Sequence, residues 1–422
     1  MTQTRTAATA ALLCSLALPA WAQDPNAEPE NFAACLEEIE QRAAAAGVSE
    51  ATREQVMPKL AWRPDVIALD RRQPEFTSSF ARYFNRAVSE RRIERGRELF
   101  AEHRDRLWEL QQRYGVPGRY IVAFWGLETN FGSYLGDTPS LDALATLACD
   151  TRRSGYFRGE LLAALQLLDE QGLGQQALRG SWAGALGLVQ FMPSNYRRYG
   201  RDGDGDGRVD LFNSVPDALE SAAHFLAELG WNTDQRWGRE VTLPQGFDYA
   251  LGDGRTMRPL REWARLGLRH ASGAPLPVAD FEAALLVPAG ADGPAFLVYP
   301  NFRVIKRWNN SDFYALAVGH LADRIVGGGA LERIAAEPPE RMRLATVKAV
   351  QERLNALGYE AGEVDGILGG GTRAALRAFQ ADRDLVADGH LDGEVLEALE
   401  IDPAAVVPPP TPTPEHAGGA SR

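Results

Sequence analysis

Residues 116–132 read VPGRYIVAFWGLETNFG, an apolar helical pattern that carries one carboxylate. The Val-Pro opening favours a helix start, because proline fits the first turn. Glu128 follows Ile121, Phe124 and Trp125 by seven, four and three residues, so it shares their helix face. Apolar surroundings raise the pKa of a carboxyl group, which makes Glu128 a candidate general acid. An exposed glutamate at the helix end, or a satisfied buried ion pair, would explain the same spacing.

A second stretch, residues 180–194, reads GSWAGALGLVQFMPS and combines small residues with one amide side chain. Small residues allow close backbone packing, and Gln190 offers both a donor and an acceptor within the apolar run. Tight helix packing alone would account for such a run. This stretch therefore indicates a functional site only when it is considered together with residues 116–132.

Together the two stretches resemble the lytic murein transglycosylases, and in particular the membrane-bound lytic transglycosylase B family. LDALATL at residues 141–147 and YPNF at residues 299–302 follow in the family's order. The resemblance covers residues 31–326 and implies a catalytic domain with a goose-lysozyme-like helical core and a sugar cleft. Residues 240–300 carry more proline, glycine and β-forming residues, which predicts a small sheet. The expected fold class is mainly α, with this β-containing part making it α+β.

The resemblance also implies roles for individual residues. Glu128 matches the position of the single catalytic acid and base. The polar residues that match cleft-lining positions of the family are Ser181, Gln190, Asn301, Arg152 and Arg153. Tyr299 is a candidate for stacking on a sugar ring, although most aromatic side chains simply fill a core. The family often carries a Tyr-Asn pair in a third motif where this chain has Trp308 and Asn309, so the role of that pair is open.

Hydrolytic glycosidases usually need two carboxylates, and no second acidic residue of this chain has a comparably apolar setting. The resemblance implies a lytic reaction at the β-1,4 bond between N-acetylmuramic acid and N-acetylglucosamine of peptidoglycan. Glu128 would protonate the glycosidic oxygen and then accept the C6 hydroxyl proton as a 1,6-anhydromuramoyl end forms, without a cofactor. Two alternatives remain open: a hydrolytic muramidase and a non-catalytic peptidoglycan-binding scaffold.

Residues 202–210 read DGDGDGRVD and place carboxylates at positions 1, 3 and 5 of an EF-hand-like loop, with glycine at position 6. The predicted ligands of a structural Ca²⁺ are Asp202, Asp204, Asp206, the carbonyl group of Arg208, and Asp217. Asn213 stands where an ordinary EF-hand has its bidentate glutamate, so a longer loop must bring in the last of these ligands. The resembled family has such an unusual site. An Asp-Gly turn without metal is the alternative.

Residues 343–401 form a separate unit, which follows a glycine-rich and proline-rich linker at residues 327–342. Apolar residues recur there at helical spacing, an Asp-Gly turn follows, and Thr372 is placed to cap a second helix. This order resembles the three-helix peptidoglycan-binding domain, except that Leu368 stands where that family usually has an aromatic residue. The resemblance implies attachment to the cell wall. A helical interaction domain for another protein would fit the same pattern.

Residues 1–22 have a weakly positive start, an apolar run and a closing Ala-Trp-Ala, which predicts a signal peptide cleaved after Ala22. The expected location is the periplasm, and an uncleaved anchor is the alternative. Cys14 lies inside the apolar run after two leucines, so we expect no lipoprotein. Cys35 and Cys149 remain, and an oxidising compartment would favour a disulfide between them over two buried thiols.

Composition limits the partners of the chain. The formal net charge of −12 argues against a protein held to nucleic acid or anionic lipid by bulk charge. We expect a monomer that acts on peptidoglycan glycan strands, with other cell-wall enzymes as further partners and no nucleic acid. The proline-rich residues 403–422 predict a disordered tail.

Overall fold

A computed structural model describes residues 29–72, 79–333 and 344–402. The predicted signal peptide over residues 1–22, with Cys14, lies outside the described residues, as does the predicted tail over residues 403–422. The predicted linker over residues 327–342 lies only partly within them. Within the described ranges, no helix combines the length and the apolar character needed to cross a membrane.

Helices dominate the described ranges, as predicted, and short strands separate some of them. The helices are α1 (Phe32–Ala45), α2 (Glu50–Val56), α3 (Pro64–Arg72), α4 (Phe80–Ala87), α5 (Glu90–Glu102), α6 (Arg104–Tyr114), α7 (Gly118–Thr129), α8 (Ser140–Cys149), α9 (Ser154–Gln171), α10 (Pro193–Tyr199), α11 (Val215–Glu228), α12 (Leu260–Arg265), α13 (Pro300–Trp308), α14 (Asp312–Ile325), α15 (Leu344–Ala356), α16 (Gly370–Asp382) and α17 (Gly393–Ala398). The strands are β1 (Thr138–Pro139), β2 (Arg179–Gly180), β3 (Gly238–Thr242), β4 (Arg258–Pro259), β5 (Arg269–His270), β6 (Glu282–Leu286) and β7 (Ala295–Val298).

The main core surrounds α7, the helix of the candidate acid. Residues 120–126 of this helix are all buried, so the helix is enclosed on every side rather than amphipathic. The helices α5, α6, α11 and α14 pack against it. This enclosure keeps water from the flanks of α7 and leaves its C-terminal end, with Glu128, at the edge of the core.

The predicted small sheet is present between α11 and α13. Five strands pair antiparallel in the order β4-β6-β7-β3-β5, and β7 leads directly into α13. The sheet has its own apolar core, which includes Trp263, Leu285 and Leu297. Because β7 is central and paired on both sides, it holds the start of α13 in place.

The C-terminal unit contains the three predicted helices, α15 to α17, around a separate core that includes Leu376 and Phe379. The expectation that Thr372 caps the second helix is wrong. The N-cap of α16 is Gly369, and no side chain bonds to the first turn. Thr372 is buried instead, and its hydroxyl donates to the carbonyl groups of Ala361 and Ile367 at 3.2 Å. It therefore ties the preceding loop to the helix.

A disulfide joins Cys35 of α1 to Cys149 at the end of α8, with an S–S distance of 2.07 Å. This confirms the bridge over the alternative of two buried thiols. The two cysteines are 114 positions apart in the sequence, so the bridge links the first helix to the core of the catalytic region.

Candidate active site

Glu128 lies in the last turn of α7, where the chain reverses sharply. Asn130, Phe131 and Gly132 all have left-handed backbone angles, with φ of 48°, 60° and 79°. The reversal folds the Phe131 ring back against the helix, where a Cβ atom added at Gly126 would lie 2.7 Å from that ring. Glycine at position 126 therefore permits the turn that leaves Glu128 half-buried at the mouth of the core.

The carboxyl group of Glu128 is held by two donors from a distant segment. The hydroxyl of Tyr314 on α14 donates to Oε1, and the indole of Trp308 at the end of α13 also donates to the carboxyl group. Burial raises the pKa of Glu128 to about 7, and the two hydrogen bonds act in the opposite direction because they stabilise the charged form. Glu128 can therefore hold a proton near neutral pH and also release it.

Trp308 sits in an aromatic cluster beneath the site. Its ring centroid lies 4.3 Å from that of Phe124, 5.3 Å from Phe191 and 5.2 Å from Phe225. Contact with these three rings restricts the indole, which also hydrogen-bonds the carboxyl group of Glu128. The tryptophan that replaces the expected tyrosine of the third motif thus supplies a hydrogen-bond donor of its own.

Residues 181–192, between β2 and α10, form a loop that packs beneath the end of α7. The Thr129 hydroxyl donates to the carbonyl oxygen of Leu188 at 2.8 Å. Gln190 is half-buried with φ of 49°, and its amide nitrogen donates to the carbonyl groups of Leu135 and Gly187 at 3.0 Å. The Ser181 hydroxyl, also half-buried, accepts from the Ala185 N–H at 3.0 Å. The second stretch therefore lies beside the first and keeps Ser181 and Gln190 partly accessible.

Asn301 and Tyr299 differ from the expectation that they face a sugar. Asn301 has no exposed surface, and its amide bonds the backbone of Asn232 and Gln235 at 2.7–2.8 Å. These hydrogen bonds tie the Asn301 side chain to the backbone of the loop that precedes β3. Tyr299 is 1% exposed, in the core of the sheet, where its ring centroid lies 4.8 Å from that of Phe281. Both residues are buried and therefore have no surface with which to contact a sugar in this structure.

Arg152 and Arg153 converge on one buried carboxylate. Arg152 reaches Asp70 of α3 at 3.2 Å, and Arg153 pairs with the other oxygen of the same group. The Asp70 side chain is 2% exposed, while each arginine side chain is 44% exposed. A buried carboxylate needs such partners, so the pair has a structural task before any ligand is considered.

The predicted calcium loop brings three of its carboxylates together. Ligand atoms of Asp202, Asp204 and Asp217 lie within 4.8 Å of one another, and Asp217 is 1% exposed. Asp206 is not part of this group. Backbone N–H groups of the loop already point at these oxygens, as in the 2.8 Å bond from Gly203 to Asp217. Carboxylate oxygens are hard donors of the kind that Ca²⁺ prefers.

Tyr314 is the site residue that the sequence analysis missed. It lies 186 positions from Glu128 within an otherwise ordinary apolar helix. Nothing in that helical pattern separates this tyrosine from one that merely fills the core. Only the packing of α14 against α7 brings its hydroxyl to the carboxyl group.

Comparison with known proteins places these features in a family. A family model for the transglycosylase SLT domain matches residues 31–323, and one for a peptidoglycan binding domain matches residues 343–399. Membrane-bound lytic murein transglycosylase B of Escherichia coli (strain K12) is 33% identical over 253 residues, which are 58% of this chain and 67% of that protein.

Solved structures agree with this match. SltB3 of Pseudomonas aeruginosa in complex with NAG-NAM-pentapeptide is 40% identical, covers 88% of this chain and 100% of its own, and has a TM-score of 0.82. Escherichia coli Slt35 in complex with calcium is 29% identical, covers 69% of this chain and 92% of its own, and has a TM-score of 0.59.

Proposed function

The chain belongs to the transglycosylase SLT family, and from that premise we propose how its site acts. The protein is a peptidoglycan lytic transglycosylase that cleaves the β-1,4 bond between N-acetylmuramic acid and N-acetylglucosamine. The mechanism rests on the position and pKa of Glu128. This residue is half-buried at the end of the enclosed helix α7, and the pKa of its carboxyl group is about 7. A carboxyl group with this pKa is matched to proton transfer at neutral pH.

One carboxyl group performs both proton transfers. Protonated Glu128 donates to the glycosidic oxygen as the bond to the anomeric carbon breaks. The carboxylate that remains accepts a proton from the C6 hydroxyl, whose oxygen closes the 1,6-anhydro ring without water. Among the described residues, no second carboxylate contributes to the pKa of Glu128, which favours this sequence over a two-carboxylate hydrolysis.

Tyr314 and Trp308 are positioning residues for Glu128 in this scheme. Their hydrogen bonds orient the carboxyl group and stabilise its charged form after the first proton transfer. Ser181 and Gln190 are the proposed sugar contacts, because both keep partly accessible polar side chains beside the end of α7.

The Glu128→Gln variant tests the mechanism. The amide keeps the shape of the side chain but cannot transfer the proton, so turnover of peptidoglycan is expected to fall by at least ~10²-fold. Glu94→Gln, which alters an exposed glutamate on α5, serves as the matched control. Substantial activity in Glu128→Gln would refute the assignment.

Mass spectrometry of the released muropeptides separates the two reactions. A lytic transglycosylase releases anhydro ends, whereas a hydrolytic muramidase releases ends that are heavier by one water molecule. Hydrated ends as the main product would exclude the lytic mechanism.

We also propose that the loop at residues 202–217 holds a structural Ca²⁺. The three clustered carboxylates of Asp202, Asp204 and Asp217 repel one another, and a cation relieves that repulsion. Millimolar Ca²⁺ is expected to raise the melting temperature of the wild type, and Asp204→Ala to remove this rise. Asp105→Ala, at a side chain 97% exposed on α6, is the control and keeps it. An unchanged melting temperature in the wild type would contradict the site.

The proposed location is the periplasm, after cleavage of a signal peptide. The sequence of residues 1–22 and the peptidoglycan substrate support it. N-terminal sequencing of the exported protein is expected to begin at Gln23, and a product that retains Met1 would contradict it.

A further inference from the structure

A cavity of about 370 Å³ lies between the catalytic region and the C-terminal unit. Its walls are the loop at residues 252–255, the end of β6, the connection from α13 to α14, and the start of α16. The two units also touch beside it, where the Ala291 N–H donates to Asp388 at 2.9 Å. This volume falls within the range of small-molecule sites, about 300–1,000 Å³.

The carboxylates in the cavity wall already have partners. Asp312 pairs with Lys306 at 2.6 Å. Asp253 accepts backbone N–H bonds from its own turn at 2.7–2.8 Å, and Asp388 accepts one from each unit. These three carboxylates therefore bond to neighbouring groups of the cavity wall.

The arginines of the cavity lack such partners. Arg255, Arg373 and Arg377 line it, and among the described residues no carboxylate oxygen lies within 4.0 Å of their nitrogens. Burial lowers the pKa of Arg373 and of Arg377. The charges of Asp312 near Arg373 and of Asp253 near Arg377 oppose this effect without cancelling it. A bound anion would stabilise the charged guanidinium groups of both arginines.

The start of α16 adds to this positive end of the cavity. Its first turn has no side-chain cap, so its backbone N–H groups remain available at the positive end of the helix dipole. A Cβ atom at Gly370 would lie 1.8 Å from an Arg255 guanidinium nitrogen. Glycine at this position lets an arginine of the catalytic region reach the helix end of the other unit.

The same cavity touches the segment that positions the catalytic acid. In the segment of residues 306–314, Trp308 and Tyr314 bond Glu128, whereas Lys306 and Phe313 line the cavity. An occupant of the cavity therefore lies against the other side of the segment that orients the acid.

We propose that this cavity binds a free carboxylate of a peptidoglycan stem peptide. The inference rests on the proposed function, because stem peptides reach the cavity only with the polymer that the site cleaves. Arginine is suited to bidentate binding of carboxylates and phosphates, and the stem peptides supply the carboxylates of that polymer. The cavity thus selects peptide-bearing strands, while the cleft at Glu128 handles the sugars.

Calorimetric titration of the full mature protein with free stem pentapeptide tests the proposal. The wild type is expected to bind the pentapeptide at least about tenfold more tightly than the same peptide with amidated carboxyl groups. Arg373→Gln combined with Arg377→Gln is expected to remove this difference. Lys348→Gln combined with Arg353→Gln removes two positive charges from the same unit outside the cavity, and it keeps the difference.

Three results would overturn the proposal. They are equal binding of free and amidated peptide by the wild type, an undiminished difference in the Arg373 and Arg377 double variant, and displacement of the peptide by equimolar inorganic phosphate. The amidated peptide needs no variant, so a folding defect cannot mimic the first result. Release of anhydro ends from peptide-free strands by the wild type tests the proposed function separately.

Discussion

At the scale of single residues, the chemistry depends on a balance of forces at Glu128. Burial disfavours its charged form, while donors from Tyr314 and Trp308 favour that form. Burial is the larger effect, so the pKa rises to about 7 rather than staying near 4.5. The residue can therefore act as an acid before bond cleavage and as a base after it.

Removal of the Tyr314 hydroxyl should raise the pKa of Glu128 further. In Tyr314→Phe the carboxylate loses a donor, so the pKa of Glu128 rises. The alkaline limb of the kcat/KM profile is expected to move to higher pH, and kcat to fall about tenfold because the carboxyl group is less well oriented. Tyr199→Phe, at an aromatic residue packed on Phe225, is the control and leaves the profile in place. An unmoved alkaline limb in Tyr314→Phe would contradict the role.

The raised pKa of Glu128 lowers the stability of the folded protein near neutral pH. The native carboxyl group binds its proton more tightly than the unfolded one, so the free energy of unfolding of the wild type falls as pH rises from about 4.5 to about 7. Glu128→Gln avoids this loss and is expected to be more stable than the wild type by up to about 3 kcal/mol at pH 8, but by little at pH 4. Urea unfolding at both pH values measures the difference. Equal gains at both pH values would show that ionisation is not the cause.

At the scale of elements, the site depends on how α7 and α14 are held. The enclosed helix α7 ends in three left-handed residues, and α14 packs along it after α13. The sheet secures the start of α13, and the disulfide secures α1 against α8. These connections allow a half-buried acid to persist at the edge of the core.

The disulfide should contribute measurably to stability. A bridge between residues 114 positions apart removes much of the entropy of the unfolded chain. The double variant Cys35→Ala with Cys149→Ala is expected to lose about 2–5 kcal/mol in the free energy of unfolding. Denaturant unfolding of the wild type with and without reductant measures the same loss independently. Identical midpoints under both conditions would contradict a stabilising bridge.

At the scale of the whole molecule, the described residues form three separate apolar cores. The helical core carries the acid, the core of the sheet supports α13, and the third core belongs to the C-terminal unit. That unit belongs to the peptidoglycan-binding family and meets the catalytic region at the arginine-lined cavity. The candidate acid and the unit of the peptidoglycan-binding family are therefore built on separate cores.

A chain that ends at Arg333 tests this division. It keeps the first two cores, so we expect it to retain its turnover of soluble, peptide-free glycan strands. Its co-sedimentation with insoluble peptidoglycan should fall about tenfold or more, because a second binding unit raises the effective concentration of the first. Undiminished co-sedimentation would show that the C-terminal unit is not the wall anchor.

Local sequence patterns predicted much of this structure. The apolar spacing around Glu128, the small-residue stretch with Gln190, and the alternating carboxylates from Asp202 are properties of neighbouring residues, and so are the three helices of the C-terminal unit. Helical periodicity and loop spacing act over a few residues, which is why they can be identified without knowing the fold. The predicted cleft role of Asn301 rested on resemblance and that of Tyr299 on its aromatic ring, and both residues are buried in the structure.

The amino-acid sequence alone is enough to recognise one carboxylate at the end of an apolar helix, two cysteines that are able to pair, and a C-terminal unit that resembles the peptidoglycan-binding domain. The groups that hold this carboxylate become visible only in the folded protein. Tyr314 lies 186 positions away from it, and Asp70 meets Arg152 across 82 positions. Such pairs depend on how helices pack in space, and a hydrogen bond between distant residues leaves no periodic trace in the chain.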